Sequence, residues 1–134
     1  MKEIKLQTTI RLAQSEELSE EDRLLVQRAI EATASSYSPY SHFAVGAALR
    51  LTDGTIVIGS NQENAAFPSG LCAERTAIFA AGATHPDQAV TTLAIAARNE
   101  AGLTAEPASP CGACRQVILE VEQRYKCPVR ILLY

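Results

Sequence analysis

Apolar and polar residues alternate at the start of the chain and then recur at helical spacing. In residues 3–12 one side is largely apolar and the other is polar, which predicts a half-buried strand at a sheet edge. Residues 13–19 are polar and predict a linker. Over 20–36, apolar residues recur every three or four positions. This spacing predicts an amphipathic helix that Ser19 caps and the sequence Ser38-Pro39 ends.

The middle of the chain predicts a β-hairpin. Residues 43–51 have small or apolar residues on both sides of the alternation, which is typical of a strand in a sheet covered on both faces. Asp53-Gly54 is a strong turn sequence, so the chain is expected to return as a strand over 55–60. A polar loop over 61–69 follows the hairpin.

Helices and strands are predicted to alternate in the second half. The predicted elements are a helix that begins after Cys72 and ends at Gly82, a strand at 91–98, a loop at 99–109, a helix at 111–125 and a buried strand at 129–134. The resulting order, β-α-β-β-α-β-α-β, predicts an α/β fold in which helices pack on the faces of a mixed sheet.

Composition and charge narrow the class of protein. The length of 134 residues predicts one domain, and the net charge is −3 with no cluster of Lys and Arg. A nucleic acid is therefore not expected as the main partner, since such binding relies on neutralised phosphates. The charged start is unlike a signal peptide, and no apolar run has the length of a membrane span. We expect a cytoplasmic protein with reduced thiols, in which closely spaced cysteines more often bind metal than form disulfides.

Three cysteines stand at the starts of two predicted helices. Cys111 and Cys114 are three positions apart, so both thiols lie on one face of a first helical turn, where the helix dipole favours the thiolate. A lone C-x-x-C is also found in redox motifs. The addition of Cys72, close to Glu74, instead favours a catalytic zinc site with three protein ligands.

Cys127 is an alternative fourth ligand that would make the zinc site closed and structural. It lies 13 positions after Cys114, and a helix of that length would carry it about 20 Å from the metal. We therefore expect Cys127 to be a small buried residue that leads into the last strand.

Glu74 and Arg75 are the candidate partners of the metal. Glu74 is two positions from Cys72, so the two residues would not share a face of a regular helix. We therefore expect Cys72 to lie in the irregular segment where the helix begins, and Glu74 to approach a water on the metal without being a ligand. The alternative is that Glu74 only complements the helix dipole. Arg75 can donate hydrogen bonds to the sulfurs. His42, His85 and Arg115 are expected at the surface.

Four motifs together resemble the short, homotetrameric, zinc-dependent cytidine deaminases. They are Ser38–Ala48, Asn61–Ala66, Cys72–Ala77 and Pro110–Gln116. The resemblance runs from about residue 20 to 134 and leaves 1–19 as an extension. It implies a three-layer α/β/α fold, one Zn²⁺ per chain and hydrolysis of cytidine and deoxycytidine to uridine and deoxyuridine in pyrimidine salvage. It also implies a homotetramer whose pockets are shared between subunits.

The resemblance also implies roles for individual residues. Cys72, Cys111 and Cys114 would hold zinc, and Glu74 would move protons from the attacking water to N3 and to the departing amine. The backbone at Ala73 would contact the pyrimidine edge, and Phe43 would pack on the ring. Asn61 and Glu63 would bind the ribose 3′-hydroxyl. The residue pattern alone predicts only a polar loop for the last two and a core position for Phe43.

Two positions depart from the resemblance. Phe67 stands where the family usually has a tyrosine that reaches the ribose 5′-hydroxyl of a neighbouring subunit's ligand. The sequence also ends at Tyr134, where the family continues into a segment that closes a neighbour's pocket, so we expect either that this lid is absent or that the chain continues beyond these residues. Two other functions stay open: deamination of a nucleoside antibiotic such as blasticidin S, and a structural zinc module, which would leave Glu74 without a role.

Overall fold

Three helices and five strands form the fold. The computed structural model describes residues 1–134. The helices are α1 (Glu20–Ala32), α2 (Ala73–Thr84) and α3 (Gly112–Tyr125). The strands are β1 (Ala44–Leu51), β2 (Ile56–Ser60), β3 (Val90–Asn99), β4 (Gly102–Leu103) and β5 (Arg130–Leu133). None of the three helices has both the length and the apolar composition that a membrane crossing requires.

The sheet is mixed, as predicted. β1 pairs antiparallel with β2 on one side and with β3 on the other. β3 then pairs antiparallel with β4 and parallel with β5. The tight turn between β1 and β2 places Gly54 at φ 88°, a left-handed conformation that glycine adopts without strain.

Helices cover both faces of the sheet, which confirms the predicted three-layer α/β/α arrangement. Alternate residues of β1 face opposite ways: Leu49 packs in the core beneath α2 and α3, and Ala48 packs in the core beneath α1. Gly59 on β2 lets α2 approach closely, because a Cβ there would lie 2.4 Å from the backbone nitrogen of Ala77. This contact fixes the height of α2, and hence of its N-terminus, above the sheet.

A buried ion pair network fastens α1 to the sheet. Asp22 is 3% exposed, and its carboxylate accepts hydrogen bonds from Arg50 Nη2 of β1 at 3.0 Å and Arg130 Nη1 of β5 at 2.5 Å. Arg50 also donates to Thr92 Oγ1 at 3.1 Å. Ser19 caps α1 as predicted, since its Oγ accepts from the backbone N–H of Asp22.

Five sequence expectations about the elements are corrected. Residues 3–12 form no strand, and the large apolar side chains there are 72–96% exposed because no other strand pairs with them. The first helix ends at Ala32 and is followed by a short 3-10 turn. The second helix continues past Gly82 to Thr84. β5 is half-buried or exposed rather than buried, and the loop after β3 contains the two-residue β4.

Candidate active site

Three cysteine sulfurs converge where α2 and α3 begin. Cys72 is the N-cap of α2 and Cys111 is the N-cap of α3. Their Sγ atoms are 3.8 Å apart, and Cys111 Sγ is 3.4 Å from Cys114 Sγ. All three sulfurs lie within 4.8 Å of one another. The two helices therefore bring together the three residues that the sequence suggested as metal ligands.

The spacing of these sulfurs fits a tetrahedral zinc ion. With Zn–S bonds of about 2.3 Å, tetrahedral thiolates lie about 3.8 Å from each other. Three protein ligands leave one position open, which is the pattern of catalytic rather than structural zinc sites. Cys127 is not part of the cluster, and it is half-buried rather than buried as expected. It follows the C-terminal end of α3, and its Sγ lies 3.7 Å from the carbonyl oxygen of Pro128.

Helix N-termini and an arginine surround the sulfurs with positive charge. The backbone N–H of Cys114 donates to Cys111 Sγ and lowers the pKa of Cys111. Burial raises the pKa of Cys114, and the negative charge of Glu74 raises it further. Arg75 Nη2 lies 3.5 Å from Cys72 Sγ, and this contact raises the pKa of the guanidinium. A cation held against the sulfurs offsets the charge that three thiolates bring to a metal.

Glu74 is a buried carboxylate with no cation paired to it. The residue is 4% exposed, and none of the four ion pairs in the structure includes it. Buried carboxylates are normally paired or ligate metal, because an unpaired buried charge is costly. A first-turn glutamate that only complements the helix dipole has no need of burial. The position therefore favours a chemical role beside the cysteine cluster.

A cleft of about 300 Å³ opens beside Cys72. Its lining includes Arg75 and the loop residues Asn61 and Glu63. The loop is tied to the start of α2 by two backbone hydrogen bonds between Gln62 and Leu71, at 2.9 and 3.0 Å. The polar loop and Cys72, which lies 11 positions after Asn61, therefore border one cavity.

The two polar residues of the loop already make hydrogen bonds within the protein. Asn61 Oδ1 accepts from the backbone N–H of Val45 at 2.8 Å, and Asn61 Nδ2 donates to the carbonyl oxygen of Phe43 at 2.8 Å. Glu63 Oε1 accepts from the backbone N–H groups of Tyr40 and Ser41 at 3.1 and 3.2 Å. Hydrogen bonds from Ser41 and Tyr40 lower the pKa of Glu63. Both side chains are thus held in fixed positions.

The other predicted site residues lie around this centre. Ala73 is fully buried in the first turn of α2. The Phe43 side chain lies in a neighbouring cleft, together with Asn99, and is 36% exposed. Phe67 lines the cleft beside Cys72 and is 84% exposed. His42 and Arg115 are exposed as expected, and His85 is half-buried at the end of α2.

Sequence reasoning missed the residues that hold the loop in place. Gln62 donates through Nε2 to Ser60 Oγ at 3.0 Å and to the carbonyl oxygen of Ser35 at 3.2 Å. Ser36 Oγ donates to Asn61 Oδ1 at 2.5 Å. The signal available in the sequence was only the density of Ser, Asn and Gln in two separate loops, which does not show that the loops touch.

Comparison with known proteins identifies the family. A family model for the cytidine and deoxycytidylate deaminase zinc-binding region matches residues 19–128, which include the three clustered cysteines and Glu74. This chain belongs to that family. Zinc is therefore the metal that the cysteine cluster of this deaminase takes.

Individual relatives agree with the family. The cytidine deaminase of Halalkalibacterium halodurans is 41% identical over 112 residues, which cover 84% of this chain and 76% of the relative. That of Sporosarcina psychrophila is 47% identical over 96 residues, covering 72% and 66%. The crystal structure of cytidine deaminase from Burkholderia pseudomallei matches with a TM-score of 0.73 at 36% identity, covering 87% of this chain and 84% of that one. The Mycobacterium tuberculosis structure matches with a TM-score of 0.69 at 33% identity, covering 84% and 85%.

Proposed function

We propose that this protein hydrolyses the exocyclic amine of cytidine and deoxycytidine, giving uridine or deoxyuridine and ammonia. The observation that carries the proposal is the buried, unpaired carboxylate of Glu74 beside three convergent thiols. The cleft that opens there has the size range of small-molecule sites. The names of the two bacterial relatives above agree with this substrate class.

Cys72, Cys111 and Cys114 hold the zinc ion in this proposal. When bound, zinc lowers the pKa of water and so supplies a nucleophile at neutral pH. The protein sets the charge around it: Arg75 and the N-termini of α2 and α3 face the sulfurs and offset the negative charge of the three thiolates.

Glu74 moves the protons. Its carboxylate accepts a proton as water adds to C4 of the base and passes that proton to N3. It then takes the proton of the hydroxyl now on C4 and passes it to the amine, so that the bond between C4 and the amine nitrogen breaks, the C4 carbonyl forms and ammonia leaves. The side chain is 4% exposed, so bulk water does not compete for these transfers. Its place in the first turn of α2 keeps it close to the cluster without adding a fourth ligand.

The remaining contacts bind and orient the nucleoside. Asn61 and Glu63 line the cleft with Cys72, and we assign them to the ribose 3′-hydroxyl. We assign the backbone at Ala73 to the pyrimidine edge and Phe43 to the face of the ring. Phe67, at the exposed side of the cleft, is assigned to the region of the ribose 5′ position.

The alternatives are less well supported. A structural zinc module has no use for a buried carboxylate beside the open coordination position. A blasticidin S deaminase shares the metal cluster, but the relatives above are named cytidine deaminases.

We also propose that the protein works in the cytoplasm, in pyrimidine salvage, as a homotetramer with shared pockets. All four cysteines are free thiols, which suits a reducing compartment. Phe67 is a large apolar side chain left 84% exposed beside the cleft, where a neighbouring subunit can cover it. Light scattering at assay concentration measures the mass of the assembly and is expected to give four copies.

A direct assay tests the activity. Purified protein with quantified zinc is given cytidine, deoxycytidine, CMP and blasticidin S, and the loss of the amino-pyrimidine absorbance is followed. We expect turnover of the two nucleosides by protein that holds about one zinc per chain, and loss of both metal and turnover in Cys72→Ala. Zinc-loaded protein that turns over blasticidin S but neither nucleoside would overturn the proposal in favour of the antibiotic.

A further inference from the structure

The loop that carries Asn61 and Glu63 is bound along one side by the segment 36–41. The backbone N–H of Tyr37 donates to the carbonyl oxygen of Asn61 at 3.0 Å, and the N–H of Glu63 donates to the carbonyl oxygen of Tyr37 at 2.8 Å. On its other side the loop pairs with Leu71, next to Cys72. Segment 36–41 therefore sets the position of the loop relative to the metal cluster.

Within this arrangement the amide of Asn61 has a single possible orientation. Its Oδ1 faces a backbone donor at Val45, and its Nδ2 faces a backbone acceptor at Phe43. A flipped amide would set donor against donor and acceptor against acceptor. The Ser36 hydroxyl, 2.5 Å from Oδ1, fills the second acceptor position of that oxygen.

One hydrogen-bonding group is left over on each of the two loop side chains. Asn61 uses both acceptor positions of Oδ1 and one N–H of Nδ2, so one N–H stays available. Both backbone N–H groups of segment 36–41 bond to Oε1 of Glu63, so Oε2 carries no backbone contact. Both side chains line the cleft, and a donor together with an acceptor is the pair that a single hydroxyl group satisfies by accepting one hydrogen bond and donating another.

We propose that Ser36 is a positioning residue for ribose recognition, acting through Asn61. Ser36 is half-buried, and its hydroxyl adds a third hydrogen bond to the amide, which holds more firmly the free N–H of Asn61 that we assign to the ribose 3′-hydroxyl. The inference rests on the proposed function, since it takes Asn61 as a ribose contact. Without the serine hydroxyl, Oδ1 keeps one donor instead of two, so the amide keeps its orientation but is held less firmly, and its free N–H is less precisely placed.

Three variants test this role. Ser36→Ala removes the hydroxyl, and Ser36→Thr keeps a hydroxyl at the same carbon. Ser35→Ala is the matched control, because the neighbouring hydroxyl bonds to Ala32 and Ser60 and does not touch Asn61. Each variant is assayed, zinc-loaded, with cytidine and with 3′-deoxycytidine, and kcat and KM are separated.

We expect Ser36→Ala to raise KM for cytidine by about 2- to 10-fold, the size of one net hydrogen bond, with kcat within about 2-fold of wild type. KM for 3′-deoxycytidine is expected to stay unchanged, because the partner hydroxyl is missing. Ser36→Thr and Ser35→Ala are expected to match wild type with both substrates.

Two results would overturn the inference while the proposed function stands: an unchanged KM for cytidine in Ser36→Ala, or an equal rise for both substrates. A rise that Ser36→Thr fails to restore, or that Ser35→Ala reproduces, would overturn it as well. If the zinc-loaded wild type turned over neither nucleoside, the proposed function itself would fail, and the wild-type arm of the same assay reports this separately.

Discussion

Replacing Asp22 with asparagine tests what holds α1 on the sheet. The substitution keeps the size of the side chain and removes the charge that joins α1 to Arg50 and Arg130, which lie 28 and 108 positions along the chain. Two guanidinium groups then face a neutral amide. The change leaves the active site untouched, so its effect is on stability.

The exposure of the two arginines sets the expected magnitude. Breaking a buried ion pair by removing one partner typically costs 3–5 kcal/mol. The side chain of Arg130 is 57% exposed and regains water, so its contact with Asp22 contributes little. The side chain of Arg50 is 18% exposed, and its Nη1 is already buried without a partner. We therefore expect Asp22→Asn to lower the free energy of unfolding by about 3 kcal/mol, the lower end of that range. For a chain of this length, such a loss corresponds to a fall in Tm of about 10 °C.

Urea unfolding followed by circular dichroism measures this loss. Glu21→Gln is the matched control, because Glu21 is the exposed neighbouring acid and takes part in none of the ion pairs. It is expected to change the free energy of unfolding by less than about 0.5 kcal/mol. A loss of under about 1 kcal/mol in Asp22→Asn would refute the reasoning that the buried charge fastens the helix.

The pH dependence of the free energy of unfolding tests whether the negative charge of Asp22 stabilises the fold. Burial alone would raise the pKa of Asp22, but the hydrogen bonds and charges of Arg50 and Arg130 outweigh burial and lower it. A carboxyl with a lowered pKa in the folded state adds stability above its unfolded pKa of about 3.9 and loses it as the pH falls through the folded value. The difference between wild type and Asp22→Asn should thus be constant from about pH 5 to 8 and shrink below about pH 4. A difference that shrank near neutral pH would contradict this sign.

Two further predictions concern positions around the site. Cys127→Ser should keep about one zinc per chain by atomic absorption, with only a modest loss of stability, because Cys127 lies outside the sulfur cluster; loss of the metal would show a closed site. Phe67→Tyr should lower KM for cytidine several-fold, the size of one net hydrogen bond, and leave a 5′-deoxycytidine analogue unchanged. Equal effects of Phe67→Tyr on both substrates would remove residue 67 from the ribose 5′ region.

The sequence predicted the elements best where local pattern and tertiary packing agree. The β1–β2 hairpin follows from alternation and the Asp53-Gly54 turn, and both cysteine helices begin at their predicted positions. Residues 3–12 carry a comparable alternation but form no strand. A period of two shows that a segment has one apolar face, whereas a strand also needs a neighbouring strand, which the pattern does not identify. Gly82 stays helical because an interior glycine weakens a helix by only about 1 kcal/mol.

The cysteine cluster could be predicted from residue types. Its three cysteines stand at the starts of two helices, so they meet as soon as the N-termini of those helices lie side by side. The rest of the site depends on contacts between distant loops. In the sequence, Asp22 looks like an ordinary acidic residue in the first turn of a helix. Only the structure shows that it forms ion pairs with two arginines. Ser36 and Asn61 are 25 positions apart, and nothing local links them. For Asn61 and Glu63 the residue pattern predicts only a polar loop, and the family resemblance supplies the suggestion of ribose binding.

The measurement that bears most directly on the proposed mechanism is the activity of Glu74→Gln with its zinc content determined in the same sample. The amide keeps the shape of the side chain and cannot accept and pass on protons. We predict about one zinc per chain, an unchanged fold by circular dichroism, and a rate for cytidine lowered by at least the 10²–10⁴-fold typical of a lost general acid–base. Near-normal turnover by the zinc-loaded variant would contradict the assignment of Glu74 as the group that moves the protons.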